Sequence, residues 1–210
     1  MSVLCRRIAG KNQVARRRLA RLILRTGADK LQSRFSFNMK INIRYARGED
    51  AVMLTALSAR TFYDAFAAAN APENIKAYMD ETFTLEKVTS ELADPLAVFL
   101  LVEVDGEPAG YCKLSGDRAP ECITGPSPME IKRLYVEQKY LGTGVGPALM
   151  QASLDEALRR GHRTIYLGVW ERNDRAVAFY LKWGFSKAGE QIFQMGADAQ
   201  TDWLMERSLL

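Results

Sequence analysis

The run Tyr140-Leu141-Gly142-Thr143-Gly144-Val145-Gly146-Pro147 constrains this chain more than any other stretch. It follows a predicted strand, Met129–Glu137, and opens a predicted amphipathic helix, Gly144–Arg160, which Gly161 stops. Three glycines at alternate positions let a backbone approach a ligand closely. The first amides of a helix have no partner within it and stand at the positive end of its dipole. Strand, glycine turn and helix start in that order suit a pyrophosphate. Pro147 in the first turn costs no hydrogen bond. Spacing excludes two other phosphate-binding turns. The dinucleotide fingerprint G-x-G-x-x-G needs glycine where Pro147 stands, and a P-loop needs G-K-[S/T], which is absent. Taken alone, the run also fits a plain tight turn.

The flanking pattern gives the fold class. Ile41–Ala46 alternates and is β-branched, so it is predicted as a first strand. Gly48–Ala69 has helical periodicity, Pro72 opens a helix through Phe83, and Thr84 caps another through Leu92. Ala97–Val104 is a nearly continuous apolar run, as in a buried strand, and Asp105-Gly106 turns it into Pro108–Leu114. Residues 115–128 read as a loop. Thr164–Trp170 is a strand, Asn173 caps a helix through Trp183, and Gly184 follows as its stop. Two final segments, 186–195 and 200–208, form a closing hairpin. An antiparallel start with two βα crossover units argues for a mixed sheet flanked by helices.

Charge divides the chain. Residues 1–38 hold ten Lys/Arg and one acid, Asp29, a net +9; residues 39–210 carry 19 basic and 24 acidic side chains, a net −5. We therefore read 1–38 as a basic arm and 39–210 as the domain. An acidic body suits a cationic ligand better than nucleic acid. The arm has three readings: an organelle transit segment, a short basic amphipathic helix over Val14–Leu24 that touches a membrane or RNA, or an overlong gene start with Met39 as the true first residue. No stretch approaches the roughly 20 apolar residues of a membrane span. The expected location is cytoplasmic, or an organelle if the arm is a targeting segment.

Three scattered cysteines, Cys5, Cys112 and Cys122, form neither a disulfide framework nor a C-x-x-C pair. Cys112, alternating within a strand, is expected to be a small core hydrophobe. His162 is the one histidine, so a multi-histidine metal site or a histidine triad has little to build on, and no metal is expected.

A second motif follows the glycine turn: Asn173-x-x-Ala176-x-x-Phe179-Tyr180-x-x-x-Gly184-Phe185. Together the two resemble the GNAT superfamily of N-acetyltransferases, whose pyrophosphate motif Q/R-x-x-G-x-G/A falls here on Leu141-x-x-Gly144-x-Gly146. Leu141 departs from the usual Gln/Arg. A longer resemblance covers about 61–208. Thr61-Phe-Tyr-Asp-Ala-Phe, Pro72-Glu-Asn-Ile-Lys-Ala-Tyr78, Glu130-Ile-x-Arg133-x-Tyr135-Val136, Leu167-Gly-Val-Trp-Glu171-x-Asn173 and Met195-Gly-x-Asp198-x-Gln200-Thr-Asp202 are similar to bacterial Pai-type spermidine/spermine N-acetyltransferases.

The resemblance implies an α/β (α+β) GNAT fold: a mixed central sheet of about seven strands flanked by helices, with acetyl-CoA held between two splayed parallel strands. It implies Leu134, Tyr135, Val136, Leu141, Gly142, Thr143, Gly144, Val145, Gly146, Asn173 and Tyr180 as cofactor contacts, with the Val136 amide donating to the thioester carbonyl. Tyr180 takes the family's place for the general acid toward the CoA sulfur. Glu130, fourteen residues before Gly144, resembles the position of a glutamate base in the histone-acetylating branch. A polyamine would meet Glu73, Tyr78, Asp80, Glu81 and Glu171 in an elongated groove, with Trp170 and Tyr135 available to stack.

The leading expectation is thus acetyl transfer from acetyl-CoA to a primary amine of a polycation such as spermidine or spermine. The body is expected to bind no nucleic acid, and pairing of two copies is expected from the superfamily's habit. Two alternatives stay open. One is acetylation of a protein N-terminus, a lysine or another small amine; the other is a non-enzymatic acyl-CoA sensor or nucleic-acid-bound regulator that uses the arm.

Overall fold

Alternating Ile41 and Ile43 begin strand β1 (Ile41–Tyr45) in the computed structural model of the chain, which describes residues 39–210. The readings of residues 1–38 lie outside the described residues. Three helices follow: α1 (Ala51–Phe66), α2 (Pro72–Thr82) and α3 (Leu85–Ala93). Short 3-10 turns, Gly48–Asp50 and Ala67–Ala69, flank α1 where helical periodicity had suggested one continuous helix. The Thr84 side chain accepts from the Lys87 amide at 3.1 Å and so starts α3.

Strands β2 (Ala97–Val104) and β3 (Glu107–Ser115) form a hairpin over Asp105-Gly106, both with positive φ (54° and 88°), as the tight hairpin turn demands. Then come β4 (Pro128–Val136), α4 (Val145–Arg159), β5 (Thr164–Trp170), α5 (Asp174–Lys182), β6 (Ser186–Met195) and β7 (Asp198–Ser208). The seven strands form one sheet in the order β1-β2-β3-β4-β5-β7-β6. Only β4 and β5 pair in parallel. Of the two expected crossovers, the second does not end beside its own strand, because β7 inserts between β5 and β6.

Successive β3 residues show how the layers stack. Tyr111 packs with Leu54 and Leu57 of α1 and Val88 of α3, whereas Cys112 contacts Ser153 of α4. Neighbouring strand residues face opposite ways, so α1 and α3 cover one face and α4 the other. Leu54 and Leu57 are at most 1% exposed, and trimming either to alanine should cost about 2–5 kcal/mol. Cys112 is fully buried, as expected of a core hydrophobe, and burial lifts its thiol to about 12.

Two irregularities prepare the site. Parallel pairing of β4 with β5 runs from Pro128↔Thr164 to Ile131↔Leu167 and stops there. Beyond it β4 stays with β3 and β5 stays with β7, so the two strands part. In addition, the β3–β4 register slips between Lys113 and Leu114, which leaves Lys132 as an extra residue in β4.

Candidate active site

Backbone amides make the first part of the site. Glu137 N–H donates to Ala109 O at 2.8 Å, which makes the Ala109–Glu137 pair a hydrogen-bonded one. Antiparallel pairs alternate. Tyr135 therefore bonds to Tyr111, while Leu134 and Val136 turn their amides and carbonyls away from β3, toward the gap left by β5. The parted strands thus expose the backbone of β4 along one edge. Gly110 makes the close β3–β4 approach possible: a Cβ there would lie 2.4 Å from the Tyr135 carbonyl oxygen.

The glycine turn makes the second part. Gly144 N-caps α4 with φ 98°, Gly142 has φ 82°, and no side chain caps the helix. The amides of Gly142, Gly144, Val145 and Gly146 have no backbone partner among the described residues, whereas Ala148 N–H already donates to Gly144 O. Nothing lies within 4 Å of where a Cβ of Gly142 or Gly144 would stand. Uncapped amides, open space and a helix start together fit a pyrophosphate.

A cavity of about 720 Å³ joins these parts. Leu134, Tyr135, Val136, Leu141, Gly142, Gly146, Asn173 and Tyr180 all line it; Thr143, Gly144 and Val145 do not, although they sit in the same turn. Asn173 also caps α5, its Oδ1 accepting from Ala176 N–H at 3.1 Å. Tyr180 is buried in the wall beside Cys112, and burial raises its phenol well above the ordinary tyrosine range. Arg175 and Lys182 stand on the same helix and also line the cavity.

At its other end the cavity is a chamber of rings. Phe62 stacks on Tyr78 at 4.7 Å, Tyr78 meets Phe193 at 5.2 Å, and Phe66 lies 6.3 Å from Trp170. Tyr135 closes the chamber from β4, edge-on to Phe62 and Phe66. Beneath it Arg133 forks onto Glu91 (2.7 and 3.1 Å), which Lys113 also contacts at 2.9 Å. Desolvation works against the Glu91 carboxylate, but the two cations prevail and hold it below its ordinary range.

Some expected residues lie elsewhere. Glu130 does not line the cavity. It sits where β4 is still paired to β5, opposite Tyr166, before the strands part. Its carboxylate accepts from the Tyr166 hydroxyl at 3.1 Å and meets Lys132 Nζ at 2.6 Å. The fourteen-residue spacing takes no account of the extra residue in β4 or of where the gap begins. Of the five acceptor contacts expected, only Tyr78 lines the cavity; Glu73, Asp80, Glu81 and Glu171 do not. Asp80 instead pairs with Lys76 one helical turn away on the surface of α2. His162 is likewise outside, its Nδ1 3.1 Å from the carbonyls of Ser127 and Pro128.

One buried carboxylate was missed. Asp202 of β7 lines the cavity at 8% exposure, opposite Trp170 on β5 and Gln191 on β6. Desolvation raises its carboxyl to about 6, while the Gln191 amide pulls the other way. The sequence signal was Gly168: a glycine inside a strand marks a close approach, and a Cβ there would lie 2.7 Å from Gln191 Nε2 and 3.4 Å from Asp202 Oδ2.

A mixed sheet split at its one parallel pair, with bare amides along the split and at a helix start, defines a class: an N-acetyltransferase. The model of the Acetyltransferase (GNAT) family matches residues 57–185, and the chain belongs to that family. An uncharacterized N-acetyltransferase of Lactobacillus delbrueckii subsp. lactis is 33% identical over 162 residues, which are 77% of this chain and 94% of that protein. Another, of Mycobacterium tuberculosis, is 36% identical over 162 residues, 77% of this chain and 99% of its own. Among solved structures, the PaiA N-acetyltransferase of Thermoplasma acidophilum in complex with coenzyme A superposes with a TM-score of 0.63 at 21% identity, covering 81% of this chain and 99% of that one. That likeness is one of fold.

Proposed function

We propose that this chain carries the acetyl group of acetyl-CoA to the primary amine of an acceptor with an apolar stem. The carrying observation is the chamber beyond the split: aromatic rings on its walls and one buried carboxylate, Asp202, among its described lining. Ring faces attract an ammonium and accept methylenes equally well. Among the described residues, the carboxylates expected in a groove for a polycation do not line the cavity. Across the whole cavity two acids, Asp64 and Asp202, stand against Lys132, Arg133, Arg175 and Lys182. Such a lining attracts the phosphates of CoA and offers a chain of several ammonium groups little to hold.

A second reading, acetylation of a polyamine such as spermidine or spermine, is favoured by the net −5 of residues 39–210. That charge draws polycations to the body, and one terminal nitrogen with its methylenes suits the same chamber.

Acetyl-CoA supplies an activated carbonyl and a thiolate leaving group. The Leu134 and Val136 amides can donate to the pantetheine arm of acetyl-CoA and to the thioester oxygen, where negative charge grows during attack. The glycine-turn amides suit the pyrophosphate, aided by the field of Arg175 and Lys182. Tyr180, kept neutral by burial, can give its proton to the departing sulfur.

Steady-state CoA release by the full chain tests this, with 2-phenylethylamine, spermidine, spermine, lysine and a short peptide as acceptors. Highest kcat/KM with the monoamine supports the reading. Preference for spermidine or spermine moves the second reading ahead, and turnover with lysine or peptide alone replaces both. Acetyl-CoA binding without turnover of any amine points to a sensor. Tyr180→Phe should lower kcat about 100-fold while acetyl-CoA affinity holds.

A further inference from the structure

We propose that Asp202 is the residue that binds the acceptor's ammonium group and takes its proton before attack. This rests on the acyl-transfer reading above. Its first support is position. Gly168 is the first β5 residue beyond the last parallel pair, so it marks where β4 and β5 part. The Gln191 amide lies directly over Gly168, in space that any other residue's Cβ would enter, and the Asp202 carboxylate stands beside it, 3.4 Å from where that Cβ would be. The carboxylate is therefore held at the fork of the split, across from the strand edge that carries the Leu134 and Val136 amides.

The second support is its surroundings. Asp202 is buried, and no cation forms a salt bridge with it among the described residues. The cavity it lines presents Gly168 and Trp170 from β5, Gln191 pairs with it from β6, and Tyr78 of α2 feels its charge; the charged residues of the same lining are Asp64 of α1, at an exposed position, Lys132 and Arg133 of β4, and Arg175 and Lys182 of α5. Arg133 is engaged by Glu91 through both terminal nitrogens. A buried carboxylate without a cation, facing a ring-lined chamber, lacks only the counter-charge that an ammonium brings.

The proton count closes. The ammonium passes one proton to the Asp202 carboxylate, and the freed amine adds to the thioester carbonyl. The C–S bond breaks as the thiolate takes the Tyr180 proton. The nitrogen's surplus proton returns to the tyrosinate, and Asp202 releases its own to water. The products are the amide, the free thiol and one proton. Desolvation in the chamber lowers the amine pKa and narrows the gap to a carboxyl raised to about 6.

The experiment is kcat/KM against pH, from 5 to 9, for the full-length wild type, Asp202→Asn and Asp202→Glu, with the best acceptor of the panel. Acetyl-CoA affinity is measured alongside by calorimetry. The wild type should lose activity as pH falls through about 6, because the carboxylate is the working form. Asp202→Asn should bind acetyl-CoA normally, fall by about 100-fold or more and lose that acidic limb, and Asp202→Glu should restore activity with the limb displaced. Asp202→Asn within threefold of the wild type, its limb intact, overturns the proposal and leaves the acyl-transfer reading standing. A wild type that acetylates no amine overturns both. If Asp202→Asn fails to bind acetyl-CoA, the glutamate variant decides: a displaced limb supports the role and an unmoved one overturns it.

Discussion

Single residues at the split show a conflict between stability and site chemistry. Asp202 is raised to about 6 in the folded chain by burial, from an ordinary carboxyl value near 3.8. As pH rises, the unfolded chain ionises first, so stability drops between about 4 and 6 and stays lower above that. The loss is at most about 3 kcal/mol, less where water reaches the carboxylate. Asp202→Asn removes this titration. Its melting temperature relative to the wild type should rise from pH 4 to pH 8, and a constant difference across that range would show that the carboxylate is not held under desolvation. Nothing in the residue itself announced this. Asp202 sits in an alternating strand like any outward acid, and burial is a property of the neighbours that β5 and β6 bring. Gly168 was the legible half of the pair. Tyr180 and Asn173, by contrast, were readable because motif and helix cap impose their spacing locally.

Elements were legible where short-range chemistry sets them and illegible where strands choose partners. The Asp105-Gly106 hairpin, the Thr84 and Asn173 caps and the strand–glycine–helix turn all follow from a few adjacent residues. The insertion of β7 between β5 and β6 does not, nor does the extra residue at Lys132. Both depend on pairing across distant parts of the chain. The cost fell on the site: spacing placed Glu130 in it, while pairing left Glu130 on the closed stretch of β4 and brought Asp202 to the open one. Within the turn, two glycines make opposite predictions. Gly144 has φ 98°, so Gly144→Ala forces a side chain into a left-handed backbone and should cost about 1–2 kcal/mol, with weaker acetyl-CoA binding as the turn shifts. Gly146 lies inside α4, and its Cβ would meet only Val136 Cγ2 at 4.0 Å. Gly146→Ala should therefore match or exceed wild-type stability by up to about 1 kcal/mol and keep acetyl-CoA affinity within threefold. Equal losses in the two variants, read by thermal melts and calorimetry, would contradict this account of the turn.

At the scale of the whole molecule, charge and chemistry separate along the chain. Every residue assigned to acetyl transfer lies between Phe62 and Asp202, while the excess positive charge lies in residues 1–38. Removing those residues takes the formal net charge from +4 to −5. Charge reversal on that scale changes what the chain attracts from solution, and solvent-exposed charges act only over about 8–10 Å at physiological salt. A chain beginning at Met39 should therefore keep kcat/KM within about twofold at 0.15 M salt. It should also elute from an anion exchanger that the full chain does not bind at neutral pH. With a polycationic acceptor, raising salt should move the two rates in opposite directions: up for the full chain at net +4, as repulsion is screened, and down for the shortened chain at net −5, as attraction is screened. If shortening abolishes turnover while acetyl-CoA still binds, residues 1–38 contribute to acceptor capture directly. The site would then extend beyond the chamber between α1, α2 and the split strands.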